Sequence, residues 1–309
     1  MSPNISVNLC CYNSEKYLRE TLDSIVNQTY EDWELVIIND GSSDSTESII
    51  QEYINQGYSI VYQFQSNAGL GRARNKAIDL SNGEFIAFID HDDIWLSDKL
   101  EKQVHVFENK PGVDFVYGSF YKFDDEGKKQ LISASGGESG NLFESLLYFY
   151  DIGILTVMLR AASLKNLDTL FDARLKFVED YDFFMRLLYR MQAIYIPEPL
   201  AMHRVHANMN TRLHWREFSE EMEYVIDNFK NLDADFVKIY ANAINHAKIQ
   251  LEFQKAKDYM VQGELKYARR CLAQYKWYNM KFVILYLATY LPVSFWFLLR
   301  PIWTKNTFR

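Results

Sequence analysis

The chain has 309 residues, 48% hydrophobic, with a formal net charge of −8, which is enough for one large domain plus an appendage. With 21 Tyr and 21 Phe against 13 Gly and 6 Pro, the composition excludes a disordered chain and a fibrous repeat. Its three cysteines, Cys10, Cys11 and Cys271, make no disulfide framework, and the opening MSPNISVN lacks a basic stretch followed by an apolar core; a reducing, cytoplasmic setting without a secretory leader is expected.

In chain order, residues 5–11 (ISVNLCC) predict a strand. Residues 14–28 predict a helix carrying Leu18, Leu22, Ile25 and Val26 on one face. The short apolar run at 34–40 (ELVIIND) predicts a strand buried on both faces. A helix over 45–55, a strand over 59–64, a helix over 71–80 and a strand over 83–90 (GEFIAFID) follow. Such alternation argues for an α/β fold with a parallel sheet and helices on both faces.

Three of these strands end in polar clusters: 11–13 (CYN), 39–44 (NDGSSD) and 90–93 (DHDD). Ligands of open α/β sheets bind beyond the carboxyl ends of the strands, so the clusters converge where a ligand would sit. Gathered carboxylates repel one another unless a cation lies between them, and a hard cation with oxygen ligands, itself bound to phosphates, answers that need. Taken singly, residues 39–46 also read as a turn and helix cap, and Asp93 or Ser97 as the cap of a helix beginning SDKLEKQV.

The segments 6–46, 67–78, 83–95 and 177–187 (FVEDYDFFMRL), in this order, resemble the family-2 glycosyltransferases of the GT-A fold, which use nucleoside-diphosphate sugars. The resemblance covers the first 200 residues or so. It implies a GT-A fold with a mainly parallel central sheet flanked by helices and a catalytic domain over 1–211. Within it, 1–110 would bind the donor and 111–211 the acceptor, with a helical extension over 212–309. It places Tyr12 and Asp40 on the nucleobase, Asn67 and Arg74 on the nucleotide and diphosphate side, and Asp92 on Mn2+ or Mg2+. Asp90 stands nearer the ribose or a metal-bound water, and Asp93 orients the following turn. Where relatives have Pro-Thr, this chain has Cys10 and Cys11, so Cys11 enters the wall facing the base.

Phe184, Leu187 and Leu188 predict a helix that starts near Glu179 and Asp180. Acids there also suit a helix N-terminus through the macrodipole. Inverting transfer requires a carboxylate to take the acceptor hydroxyl's proton; the resemblance gives that role to Asp180, supported by Glu179. After a strand at 193–197 and a proline-bounded loop, residues 202–210 carry His203, Arg204 and His206, with Arg204 on the leaving phosphate and His206 on the metal.

The charge is uneven. Residues 1–203 hold 17 Lys and Arg against 31 Asp and Glu, whereas 262–309 hold eight basic residues and one acid. Residues 282–299 contain no charge but are interrupted by Pro292. In-plane association of 280–309 with the cytoplasmic membrane face is the reading taken, ahead of a helix buried against the catalytic domain and of a full span. The expected function is metal-dependent, inverting transfer from a nucleotide sugar, UDP being the commonest carrier, to a glycan or lipid-linked acceptor, with no nucleic-acid partner. A catalytically silent homologue and a sugar nucleotidyltransferase are the alternatives. The second would want a glycine-rich loop after the first strand, where this chain has CYNSEKY.

Overall fold

The computed structural model describes residues 4–133, 139–206 and 214–292. The chain forms two compact units. One is built from residues up to 206 without 147–149, the other from 147–149 and residues beyond 206. The expected boundary at 211 lies outside the described residues.

In the first unit β1 (Ile5–Cys11), β2 (Trp33–Asn39), β3 (Ile60–Phe64) and β4 (Phe85–Asp90) lie parallel in the order β3-β2-β1-β4. The connecting helices are α1 (Leu18–Val26), α2 (Thr46–Asn55) and α3 (Leu70–Leu80). Successive strand residues face opposite sides of the sheet, and the apolar helix faces sort accordingly. Leu18, Leu22 and Ile25 of α1 and Ile49, Ile50 and Tyr53 of α2 pack with Val7, Leu9, Leu35 and Ile37. On the other side Ala73 and Ala77 of α3 meet Cys10, Val36 and Ile38. These elements match the expected ones to within a residue or two, except that α1 begins only at Leu18.

Beyond β4 the sheet is mixed. The elements are β5 (Ile94–Trp95), α4 (Lys99–Asn109), β6 (Phe115–Phe123), β7 (Lys129–Ile132), α5 (Phe143–Tyr148), β8 (Met158–Arg160), α6 (Glu179–Leu188) and β9 (Ala193–Arg204). The sheet continues β4-β8-β6-β9-β5, with β7 beside β6. β8 is antiparallel to both β4 and β6, and β5 is antiparallel to β9. The parallel sheet read from the sequence therefore holds for its first four strands.

β9 also departs from expectation. It runs unbroken through Pro197 and Pro199, where a loop was expected. Gly118 pairs with Ile196 but Ser119 with Pro199, so the prolines sit at a bulge where no ladder N–H is needed. A Cβ on Gly118 would lie 2.9 Å from the Ile196 carbonyl oxygen, which shows how tightly the strands meet there. His203 and Arg204 are thus strand residues.

On the α3 side of the sheet, α6 lays Phe183 and Phe184 against Phe88 of β4. Asn75 of α3 exchanges two 2.9 Å hydrogen bonds with the Phe171 backbone just before α6. These contacts set the first turns of α3 and α6 side by side.

The second unit is helical in its described residues, with helices at Trp215–Asn228, Phe236–Ile239, Ala241–Val261, Leu265–Ala273 and Met280–Ala288. Its core joins Ile249, Ala256, Met260, Ala268, Leu272, Phe282, Leu285 and Ala288. Among the described residues, no helix is long and apolar enough to cross a membrane. Residues 293–299 of the uncharged stretch lie outside them.

Candidate active site

The sheet register aligns the carboxyl ends of three strands. Cys10 pairs with Asp90, and Cys11 with Asn39. Just past them the chain leaves β2 into a loop organised by Asp40. Its buried carboxylate accepts from Gln65 Nε2 (2.7 Å), Ala68 N (2.8 Å) and Gly69 N (2.9 Å), pinning the stretch that carries exposed Asn67. Gly41 makes this possible: its φ is +82°, and a Cβ would come within 2.7 Å of the Asn67 nitrogen. The β1 loop is stitched to the same region. Asn13, at φ 48°, accepts from Ser43 N at 2.9 Å, while its own N–H donates to Ser42 Oγ at 3.0 Å.

Tyr12 stands half exposed at this rim. Cys11 does not join it. Its thiol points into the core with Leu9, Leu18 and Leu22 and is 1% exposed, so the expected contact of this side chain with the nucleotide is corrected. Alternation along β1 turns Cys10, not Cys11, toward α3. Burial, countered by Arg74 and assisted by Asp90 and Asp40, pushes the Cys10 thiol up to about 12, so it is a neutral wall.

Arg74 is the brace of the site. Buried on α3, it donates to Glu179 Oε1 at 2.7 Å and to Asp90 Oδ1 at 2.8 Å, linking the end of β4 to the start of α6. One bond leaves from each guanidinium tip, so Arg74 holds the two acids in place from a buried position. Burial works against a charged Asp90, but Arg74 wins and holds its carboxyl below the usual range. Glu179 goes the other way. Burial, partly offset by Arg74 and reinforced by Asp180, raises it to about 7, and its Oε2 is buried with no hydrogen-bond partner. Asp180 is half-buried beside it and accepts the Tyr181 N–H at 2.7 Å. Its carboxyl is also raised, by burial against the opposing pull of Arg74.

The remaining aspartates are each met from β9 or the residues after it. Asp92 Oδ2 lies 3.0 Å from His206 Nε2. Buried Asp93 holds His203 Nδ1 and the Arg204 backbone N–H, both at 3.0 Å, through one oxygen. Burial drives Asp93 up to about 6 in spite of His203, and the Asp93 charge lifts His203 above its ordinary value in spite of burial. Asp93 thus ties the end of the 90–93 cluster to β9. Arg204 is buried and donates to Glu20 Oε2 (2.7 Å), Asp125 Oδ1 (3.0 Å) and the Asp92 carbonyl (3.1 Å), flanked by the Tyr17 and Phe123 rings. Its bond to the Asp92 carbonyl positions the backbone there.

Among the described residues, no group of three or more His, Cys, Asp and Glu side chains could by itself hold a metal ion. The pair on hand is Asp92 and His206. Mg2+-like ions bind through one or two protein ligands and complete their shells with phosphate and water, so this pair fits an ion that arrives with a diphosphate.

Sequence reasoning missed Glu20, Asp125, Gln65 and Tyr17. Glu20 lies on the polar face of a helix and Asp125 in a turn, and each acts only through a partner more than twenty residues away. No local signal marks them.

Residues 6–165 match the sequence model described as Glycosyl transferase family 2. An uncharacterized glycosyltransferase of Rickettsia prowazekii is 29% identical over 234 residues, 72% of this chain and 70% of the relative. A putative teichuronic acid biosynthesis glycosyltransferase, TuaG of Bacillus subtilis, is 34% identical over 51% of this chain and 62% of its own length. S. aureus TarS 1–349, solved in complex with UDP, superposes with a TM-score of 0.66 at 23% identity, over 88% of this chain and 78% of TarS. The mannosyltransferase PcManGT from Pyrobaculum calidifontis, in complex with GDP-Man and Mn2+, gives 0.62 at 18% identity over 96% and 83%. The fold is that of the GT-A glycosyltransferases, and the chain belongs to glycosyl transferase family 2.

Proposed function

We propose that the chain transfers a sugar, with inversion, from a nucleoside-diphosphate donor carried by UDP to a glycan or lipid-linked glycan acceptor in surface polysaccharide synthesis. One observation carries this reading. Buried Arg74 ties Asp90, two residues before Asp92, to Glu179, the immediate neighbour of Asp180. The residues proposed to handle charge and the one proposed to accept the proton are therefore joined through a single buried side chain.

Tyr12 at the rim and the Asp40 loop would receive the base, with exposed Asn67 beside the diphosphate. Asp92 and His206 would hold Mn2+ or Mg2+, which when bound offsets the negative charge on the departing nucleoside diphosphate. Asp180 takes the acceptor hydroxyl's proton as the oxygen attacks the anomeric carbon. A raised carboxyl is the better base, since its proton affinity lies closer to working pH. Glu179 is raised too, but Arg74 grips one of its oxygens and the side chain is shut from solvent; it orients Asp180. The UDP, UDP-GlcNAc and GDP-Man seen in TarS and PcManGT support the donor class, Mn2+ in PcManGT supports the metal, and TuaG supports the polysaccharide setting.

The test is Asp180→Asn, which keeps size while removing the proton acceptor. General-base catalysis is typically worth about 10²–10⁴-fold, so turnover falls by that much or more while the donor dissociation constant stays put. A mild Asp180→Asn beside a crippled Glu179→Gln would reassign the base. If both are mild, the two acids merely start a helix.

A further inference from the structure

The helix Met280–Ala288 is one-sided. Phe282, Leu285 and Ala288 seat it in the core of the helical unit. The opposite face carries Met280, Ile284 and Leu287, at helical spacings of four and three, exposed by 70%, 43% and 59%. Leu291 continues this row, and Trp277 begins it at 78% exposure. Aromatic residues with polar tips, Tyr278 and Tyr290, are exposed nearby. Lys281 is exposed on the helix itself, while Lys276 lies near the Trp277 and Tyr286 rings, and Lys266 and Arg270 are exposed on the preceding helix. From 265 to 292 the chain has five Lys and Arg and no Asp or Glu.

We propose that this face is a docking surface for an anionic lipid bilayer, entered in the plane of the membrane. Three observations select lipid. An isolated apolar row of this size on a water-facing helix is costly unless something covers it. The segment 265–292 that carries it is cationic, with five Lys and Arg and no acid, complementary to anionic headgroups, each of which attracts a nearby Lys or Arg. Trp and Tyr ring the row, and these side chains favour the water–hydrocarbon boundary. No described helix is long and apolar enough to cross a membrane, so the geometry is that of a helix lying flat, with its apolar side sunk and its lysines at headgroup level. The helix thus buries one face in the core of the helical unit and offers the other to lipid. The surface is independent of the transfer chemistry proposed above.

The test is flotation of the full chain with vesicles of phosphatidylcholine mixed with phosphatidylglycerol, against phosphatidylcholine alone. The expected result is binding to the mixed vesicles that weakens at high salt, since headgroup attraction is screened. Ile284→Asp/Leu287→Asp should lower the partition coefficient by about tenfold or more, because two apolar side chains lose their burial. Both positions are exposed, so circular dichroism and melting should be unchanged; Ile284→Gln/Leu287→Gln stands in if the aspartates disturb folding. Quenching of tryptophan fluorescence by brominated lipid should drop in Trp277→Phe. Vesicle binding that the substitutions leave intact overturns the proposal. So does a wild-type chain that ignores anionic vesicles, or a variant whose only change is loss of a dimer, which would make a second copy the occupant.

Discussion

Replacing Arg74 with Met asks whether the brace between β4 and α6 holds the site together. The guanidinium makes two short charge-assisted bonds, 2.7 Å to Glu179 and 2.8 Å to Asp90, and both Arg74 and Glu179 are only 4% exposed. Met retains much of the apolar stem, so the loss is mainly charge. Glu179 is left buried without a counterion, its second oxygen already unpartnered. Removing one member of a buried ion pair typically costs about 3–5 kcal/mol. For a unit of about 200 residues that lowers the melting temperature by roughly 6–20 °C.

The pH dependence sharpens the test. Glu179 is raised from 4.5 to about 7, so its contribution to stability is full below 4.5 and is lost as pH climbs through the folded value. Without Arg74, which pulls that value down, the loss continues beyond pH 7. Stability curves of wild type and Arg74→Met should therefore separate further between about pH 6 and pH 9. Adding Glu179→Gln to Arg74→Met should recover part of the difference at the higher pH, since Glu179 then carries no charge and only Asp90 lacks its partner. Urea unfolding of the four proteins at both pH values supplies the cycle. A loss below about 1 kcal/mol at the higher pH, or one indifferent to pH, would refute the claim that Arg74 acts as a buried counterion.

Asp92→Ala should abolish metal-dependent binding of UDP in calorimetric titrations with Mn2+, His206→Ala should weaken it, and binding that survives EDTA in the wild type would remove the metal role. Gly41→Ala combines a strained φ with a Cβ 2.7 Å from the Asn67 nitrogen, so it should cost about 1–3 kcal/mol and loosen UDP binding, read by melting and by titration. Asp93 is raised from 3.8 to about 6, so its share of stability is complete below 3.8 and lost as pH rises through about 6. Asp93→Asn should flatten the melting temperature across that interval, and an unchanged slope would mean the carboxyl does not titrate there.

The donor half was legible because its signals are local. Continuous apolar runs such as ELVIIND fit strands buried on both faces, and α1 and α2 show helical spacing on one side only. The ends of those strands had to converge once the sheet was parallel, so Asp40 and the 90–93 cluster could be placed without coordinates. What was illegible depends on distant pairings. The bulge that carries β9 through two prolines is set by Gly118, nearly eighty residues earlier. Cys11 was misplaced for a smaller reason. A strand's last residue still obeys alternation, and its parity turns the thiol to the α1 side. The carboxylate partners of Arg74 and Arg204 were equally hidden, because Glu179, Glu20 and Asp125 lie far from them in the chain. Lys99 illustrates the same blindness: it lies fully buried, 2.6 Å from Gln103 Oε1 and over the Trp95 ring, in a stretch that reads as a solvated helix start.

Three aspartates within four residues pose one electrostatic problem, and the fold divides it among three partners. Asp90 has Arg74 from α3, Asp93 has His203 from β9, and Asp92 has His206 just beyond β9. These partnerships differ in what can be exchanged. Arg74 keeps its charge at any accessible pH and is walled in, bonding Asp90 through one nitrogen and Glu179 through the other, so Asp90 has a fixed cation beside it. Asp93 is itself shut away at 1% exposure, spending one oxygen on the His203 ring and the Arg204 backbone. Asp92 and His206 are partly exposed on both sides, so theirs is the contact of the three that solvent reaches. Arg204 meanwhile grips the Asp92 carbonyl, so the side chain can change partners while its backbone stays fixed. Arg74 thus ties the first carboxylate of the D-x-D pair to the start of α6, while the second meets only a partly exposed histidine and is the better placed of the two to change partners.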